Sequence, residues 1–193
     1  MLAHRGASIT MVCLTNGDVG EISDPSLATP QTLARVRQEE IRQAALVTGV
    51  TDVRFLGYRD SGMSGTEDNK HPNSLTQAPP NQVVGRLVGI IREVRPEIII
   101  THDSTGWYGH PDHVTTYALV TQAFALSGDG TAHPVQPGSG DQIWTPRLLY
   151  YACFPRSVML RTWQEMRDVG VTPPFASLEE EALGSPDENV TTI

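Results

Sequence analysis

The run Thr101-His102-Asp103-Ser104-Thr105-Gly106-Trp107-Tyr108-Gly109-His110-Pro111-Asp112-His113 is where this sequence concentrates residues able to do chemistry. Asp103, Tyr108, His110, Asp112 and His113 fall within a few positions of two glycines. Pro111 suits the first turn of a helix, which puts His110 at or near the N-cap and His113 one turn later. Residues three apart share a helix face, so the two imidazoles can converge on one point. One can ligate a metal through a neutral ring nitrogen while the other hydrogen-bonds or passes a proton to a substrate. Asp112 can orient a histidine from behind. The same four residues also fit a plain helix start, with Asp112 a cap and both rings solvated. The preceding strand and the Gly-Trp-Tyr-Gly neighbour favour the site.

The elements that must hold this run alternate between strand and helix. Ile98-Ile99-Ile100 is the strongest strand signal, and open α/β sheets bind ligands just beyond the carboxyl ends of their strands. Ile9 to Leu14 reads as a strand buried on both faces, Val53 to Leu56 as a short strand and Leu148 to Ala152 as another. Helical spacing marks Leu33 to Val47, with Leu33, Val36, Ile41, Ala44 and Ala45 in one stripe and Gly49 as its stop. It also marks Val83 to Val94, with Val84, Leu87, Val88 and Ile91 in a stripe closed by Arg95-Pro96, and His113 to Leu126. The alternation predicts a Rossmann-like α/β fold, a doubly wound and mostly parallel sheet. Two long loops, Gly57 to Asn81 and Ser127 to Thr145, are rich in Gly, Pro, Asp and Ser, and loops of that length are more often functional than not.

Composition narrows the function classes. At 193 residues the chain has a one-domain length, with 39% hydrophobic and 19% charged residues in an ordinary globular balance. Fourteen basic against 22 acidic residues give a net charge of −8, which provides no general attraction for nucleic acid or an anionic membrane. Cys13, in an apolar run, reads as a buried small hydrophobe, and neither it nor Cys153 belongs to a Cys-x-x-Cys pair. A cytoplasmic protein is expected, with no apolar stretch of membrane-spanning length. A Gly-x-Ser-x-Gly elbow and a Walker motif are both missing from the sequence, and Gly138-Ser139-Gly140 follows no strand and opens no helix, so dinucleotide binding is unsupported.

With these residues in view the chain resembles the LmbE/PIG-L-like deacetylases. The motifs that agree, in order, are Thr15-Asn16-Gly17-Asp18-Val19-Gly20-Glu21, Arg37-Gln38-Glu39-Glu40 running to Gly49-Val50, Leu56-Gly57-Tyr58, and Tyr108-Gly109-His110-Pro111-Asp112-His113. Asp60-Ser61-Gly62-Met63-Ser64-Gly65-Thr66 and Arg92-Glu93-Val94-Arg95-Pro96 are most similar to the mycothiol branch, which contains a deacetylase of N-acetylglucosaminyl-inositol and a conjugate amidase. The resemblance implies hydrolysis of the N-acetyl amide of an amino-sugar small molecule, with Zn²⁺ as cofactor. It implies that His113 is a zinc ligand, that His110 stabilises the oxyanion or acts as general acid, and that Tyr108 lies near the reacting carbonyl. Arg37, Glu21 and Asp60 match positions holding the sugar or its inositol. For Arg37 a surface pairing with Glu39 or Glu40 is an equal alternative, and for Glu21 and Asp60 ordinary loop solvation is. Trp107, where relatives often have glycine, is a departure that suits stacking on a sugar ring or narrowing the mouth.

The family's first motif, Ala-His-Pro-Asp-Asp-Glu, implies a further histidine and aspartate on zinc and a second aspartate as base, and the sequence does not contain it. The expectation is a single deacetylase domain, residues 1–193, truncated at both ends. Met1 to Arg5 reads as the tail of a helix ended by Gly6, the first strand of the sheet is lacking, and Val190 to Ile193 reads as a strand that opens and stops. Such a chain is expected to be poorly soluble or to associate through its exposed strand edge, for which a homo-oligomer is one outcome. The alternative is a non-catalytic remnant or sugar-binding module without its metal.

Overall fold

The computed structural model describes residues 3–133, 142–173 and 183–189. It divides into two compact units, residues 1–79 and 80–193. The expected strand at Val190 to Ile193, and Gly138-Ser139-Gly140, lie outside the described residues.

The first unit is a βαβ crossover. Strand β1 (Thr10–Thr15) pairs in parallel with β2 (Asp52–Tyr58), Thr10 opposite Asp52 and Cys13 opposite Phe55, before the register shifts ahead of Thr15. Parallel neighbours need a long return connection, and helix α1 (Leu33–Thr48) supplies it. Gly49 stops α1 as expected: at φ 80° its N–H returns to the last turn, and Val50 N donates to Ala45 O at 2.8 Å. Gly6, at φ 86°, likewise closes a short 3₁₀ turn over Ala3–Arg5. Burial is thinner than the pattern promised. Only Leu33 and Ala45 of the α1 stripe are buried, and Ala44 is exposed. β1 was expected to be covered on both faces, yet only Leu14 is fully buried and Cys13 is half-buried, its thiol pKa pushed up by that burial. The reason is that β1 has a single strand neighbour among the described residues.

The stretch after β2 is better ordered than a loop. Two 3₁₀ turns, Glu67–Lys70 and Leu75–Gln77, bracket it. The Asn69 amide donates to the carbonyls of Ser61 and Met63, and Ser61, Ser74 and Leu75 are buried.

In the second unit, helix α2 (Pro80–Val94) packs on helix α4 (Pro111–Leu126). The predicted stripe Val84, Leu87, Val88 and Ile91 is buried, together with Val83 and Arg92. Strand β3 (Ile98–His102) pairs in parallel with β4 (Leu148–Ala152), Ile98 opposite Leu148 and His102 opposite Ala152. A single irregular turn, α3 (Gly106–Gly109), joins β3 to α4, and helix α5 (Arg156–Asp168), which the sequence reading did not mark, follows β4. Tyr117 and Thr121 of α4 meet Tyr151 of β4, so α4 covers the face that carries Tyr151. Ile98 and Ile100 point to the opposite face and are exposed. No helix among the described residues is long and apolar enough to cross a membrane.

Candidate active site

The chemistry-bearing run leaves the carboxyl end of β3, as its position in the sequence predicted. Asp103 is buried and organises the turn. Its Oδ1 accepts from Thr105 N at 3.2 Å and Thr105 Oγ1 at 2.8 Å, and its Oδ2 accepts a short hydrogen bond from Ser185 Oγ. Gly106 follows at φ 61°, in contact with His113. A Cβ there would lie 2.9 Å from His113 Cβ and 3.1 Å from Val114 N, so the backbone approach requires glycine.

Helix α4 begins as the Pro111 reading expected, with Pro111 in the first helical position and His110 as N-cap, two residues ahead of the range His113 to Leu126 marked by apolar periodicity. His110 Nδ1 accepts from Asp112 N at 3.2 Å. A neutral imidazole that accepts at one nitrogen carries its proton on the other, which makes Nε2 of His110 a donor. His113 is arranged in the opposite sense. Its Nδ1 lies 3.2 Å from Gly106 O, an acceptor only, so Nδ1 holds the proton and Nε2 keeps a lone pair. The two rings sit 5.0 Å apart, tilted by 35°. Tyr108 stands edge-on to both, 5.9 Å from His110 and 5.2 Å from His113. Asp112 is buried in the first turn of α4.

Burial pushes the His113 pKa down to about 4, with His102 and His110 adding to the depression and the Gly106 hydrogen bond opposing it. His113 is therefore neutral near pH 7, the form that binds a metal. An imidazole whose Nδ1 is fixed on a backbone carbonyl keeps the Nε2 lone pair that a divalent cation can take, so His113 supplies one suitable donor.

His102 and Trp107 extend the cluster. The sequence reading did not assign His102 to the site, although its place at the last position of β3 was the available signal. Its ring stacks on that of His113 at 4.1 Å with 9° between the planes. Burial lowers its pKa too, against the Asp103 carboxylate and with help from His110. Its Nδ1 is buried without a hydrogen-bond partner among the described residues. Trp107 meets the edges or faces of His102, His113 and Phe154, and its indole N–H donates to Ala152 O at 2.8 Å.

The remaining sequence-predicted residues belong to the first unit. Arg37 on α1 forms an ion pair with Glu40 at 3.0 Å, the alternative weighed for it, and also donates to Glu21 O at 3.4 Å. Asp60 accepts from Gly62 N through Oδ1, while its own N–H donates to Asp18 Oδ1, both at 2.8 Å. Gln38 donates to Asn16 Oδ1 at 2.9 Å, so α1 and the β1 exit are cross-linked by polar side chains.

Residues 1–124 match the family described as PIG-L, GlcNAc-PI de-N-acetylase. The chain belongs to the PIG-L family. Among its relatives, the 1D-myo-inositol 2-acetamido-2-deoxy-alpha-D-glucopyranoside deacetylase of Thermobispora bispora is 40% identical over 98% of this chain, and that of Thermobifida fusca is 39% identical over 98%. The chain spans 64% and 68% of the length of these two relatives. Two solved structures share the PIG-L chain's Rossmann-like α/β fold at low identity. The N,N'-diacetylchitobiose deacetylase of Pyrococcus horikoshii superimposes with a TM-score of 0.62 at 24% identity, covering 90% of this chain and 63% of that one. The 4-carboxy-2-hydroxymuconate hydratase of Pseudomonas putida gives 0.58 at 19%, covering 95% and 84%. A deacetylase and a hydratase on one fold mean that function must be argued from the site.

Proposed function

We propose that this PIG-L chain belongs to a zinc-dependent deacetylase that hydrolyses the N-acetyl amide of an N-acetylglucosaminyl-inositol or a mycothiol-type conjugate. The observation that carries the reading is the opposed tautomers of two histidines one helical turn apart. His113 offers a lone pair at Nε2, and His110 offers a proton at Nε2. The family membership and the named activity of relatives at 39–40% identity point the same way.

When bound, Zn²⁺ polarises the amide carbonyl and acidifies a water molecule. His113 would hold it through Nε2. His110, fixed at the N-cap, directs Nε2–H to the carbonyl oxygen as negative charge develops there, and Tyr108, edge-on to both rings, lies beside the same carbonyl. Asp112 keeps His110 in its tautomer through the backbone N–H that Nδ1 accepts. Water adds to the carbonyl carbon, the C–N bond breaks and the amine nitrogen takes a proton, giving acetate and a free amino sugar. Arg37, Glu21 and Asp60 are read as hydrogen-bonding groups for sugar or inositol hydroxyls, and Trp107 as a ring that stacks on a sugar or narrows the mouth.

The test is to incubate the intact protein with 1D-myo-inositol 2-acetamido-2-deoxy-alpha-D-glucopyranoside while metal content is measured by mass spectrometry. Amine and acetate should appear in equal amounts, be lost on chelation and return with Zn²⁺. Stoichiometric zinc without amine release from this substrate or from a mycothiol conjugate would overturn the reading in favour of a binding module.

A further inference from the structure

Trp107 is an unusual residue for its backbone. At φ 68° and ψ −58° it occupies a left-handed conformation that side chains other than glycine rarely adopt. Such a conformation persists only where surrounding contacts over-determine it, and here they come from three directions. The indole N–H donates to Ala152 O, the last residue of β4. The Trp107 N–H donates to Thr105 Oγ1 at 3.2 Å, and its carbonyl accepts a short hydrogen bond from Gly184 N. The ring is inclined at 66° to His102 and 72° to His113, with centroids 4.6 Å and 5.4 Å away, and stands at 87° to Phe154 at 5.1 Å.

We infer that Trp107 and His102 together form a brace that fixes the ring plane of His113, so that its Nδ1 stays on the Gly106 carbonyl. Both are positioning residues. The Gly106–His113 hydrogen bond alone leaves the imidazole free to rock about its χ angles. Stacking by His102 removes rotation out of plane, and the Trp107 edge, tethered to the strand next to the one bearing His102, limits sliding. A flat partner on one side and an edge on another constrain a ring with no second polar contact, which preserves Nε2 for another role. The left-handed backbone at 107 turns the indole back over the histidine pair.

The inference rests on the proposed deacetylase reading only for its functional consequence, since the ring geometry can be measured without metal or substrate. In the metal-free intact protein at pH 7.5, long-range ¹H–¹⁵N correlation spectra report the tautomer of His113. The wild type should show one tautomer, protonated at Nδ1. His102→Ala and Trp107→Gly should each show exchange between tautomers, whereas His102→Phe, which keeps a stacking face, should retain the single form. Zn²⁺ affinity should fall about tenfold to a hundredfold in the two disruptive variants and stay within about threefold of wild type in His102→Phe. Circular dichroism melts identify any variant that fails to fold, and Trp107→Phe then tests the indole tether in place of Trp107→Gly. An unchanged Nδ1–H tautomer in folded His102→Ala and in a folded Trp107 variant would overturn the brace. Loss of zinc binding or of amine release in the wild type would refute the deacetylase reading and leave the tautomer result standing by itself.

Discussion

Gly106 O and His113 Nδ1 lie 3.2 Å apart, and the glycine that supplies this carbonyl is also the residue on which His113 Cβ rests. One backbone position therefore sets both the tautomer and the height of the ring. Gly106→Ala introduces a methyl 2.9 Å from His113 Cβ at a φ of 61°. It should destabilise the fold by about 2–3 kcal/mol, from left-handed strain plus overlap with helix backbone. It should also weaken metal binding at least tenfold. Urea denaturation and metal titration check the pair of effects, and wild-type affinity in a folded Gly106→Ala would contradict it.

The depressed pKa of His113 makes stability depend on pH. In the unfolded chain the ring titrates near 6.5, and in the folded chain near 4. Between these values the unfolded state binds more protons, so stability rises with pH across the window. The contribution is complete above pH 6.5 and is lost as pH falls toward 4, on the order of 2 kcal/mol once partial solvation of the ring is allowed for. His102, depressed for the same reason, adds a loss of the same sign. Denaturation of metal-free protein between pH 4 and 7.5 should show this slope, and His113→Gln should flatten it.

Ser185 donates a short hydrogen bond to the buried Asp103 carboxylate and pairs through its N–H with Phe154 O at 2.7 Å. Ser185→Ala removes one donor from a carboxylate held away from water, at a cost of about 1–3 kcal/mol. The cost should be local as well as global. Hydrogen exchange should quicken at the amides of Gly184 and residue 185, which that contact holds against the site loop, while α2 amides stay protected.

Much of this architecture was legible because its signals are local. A β-branched run ahead of a glycine-rich turn, and Pro111 at a helix start, required only short-range pattern, and so did the stripe on α2. The site's supporting parts were not legible in the same way. Ser185 meets Asp103 across 82 residues of sequence, and Trp107 meets Ala152 across 45. No periodicity encodes such pairs. His102 stood inside the motif but carried no helical or ligand spacing, so its stacking on His113 emerged only from the packing of α4 against β3. The α1 stripe shows the reverse failure, where periodicity was right and burial was not, because amphipathic spacing states which face turns inward without fixing how much covers it. Helix α5 went unmarked for a different reason. Arg156, Arg161 and Arg167 break up its apolar positions, and only Trp163 is buried.

Arg92 is a stabilising residue of a different kind. Its guanidinium is buried and donates to three backbone carbonyls, Ser127 O at 2.9 Å, Asp129 O at 2.9 Å and His133 O at 2.5 Å. The first of these carbonyls belongs to the C-cap of α4 and the other two to the turns that follow it, so one guanidinium holds the chain together just beyond the helix. Arg92→Met strands them and should lower stability by about 3 kcal/mol, and Arg92→Lys, with a single nitrogen, should recover only part. The effect should appear in thermal melts with the His113 tautomer unchanged, since Arg92 touches the far end of α4.

His110 separates catalysis from binding. Asp112 N–H donates to its Nδ1, so the ring proton sits at Nε2 and the side chain caps the helix from which His113 projects. If His110 stabilises charge that develops only during the reaction, its removal should act on kcat. His110→Ala should lower kcat by about 10²–10³ with KM within a few-fold of wild type. Part of any stability loss belongs to the cap, typically about 1 kcal/mol, and His110→Asn separates the two because its side-chain oxygen can cap the helix but lacks the imidazole proton donor. Recovery of stability without recovery of kcat in His110→Asn is the expected result. A kcat restored along with the cap would assign His110 to the helix alone.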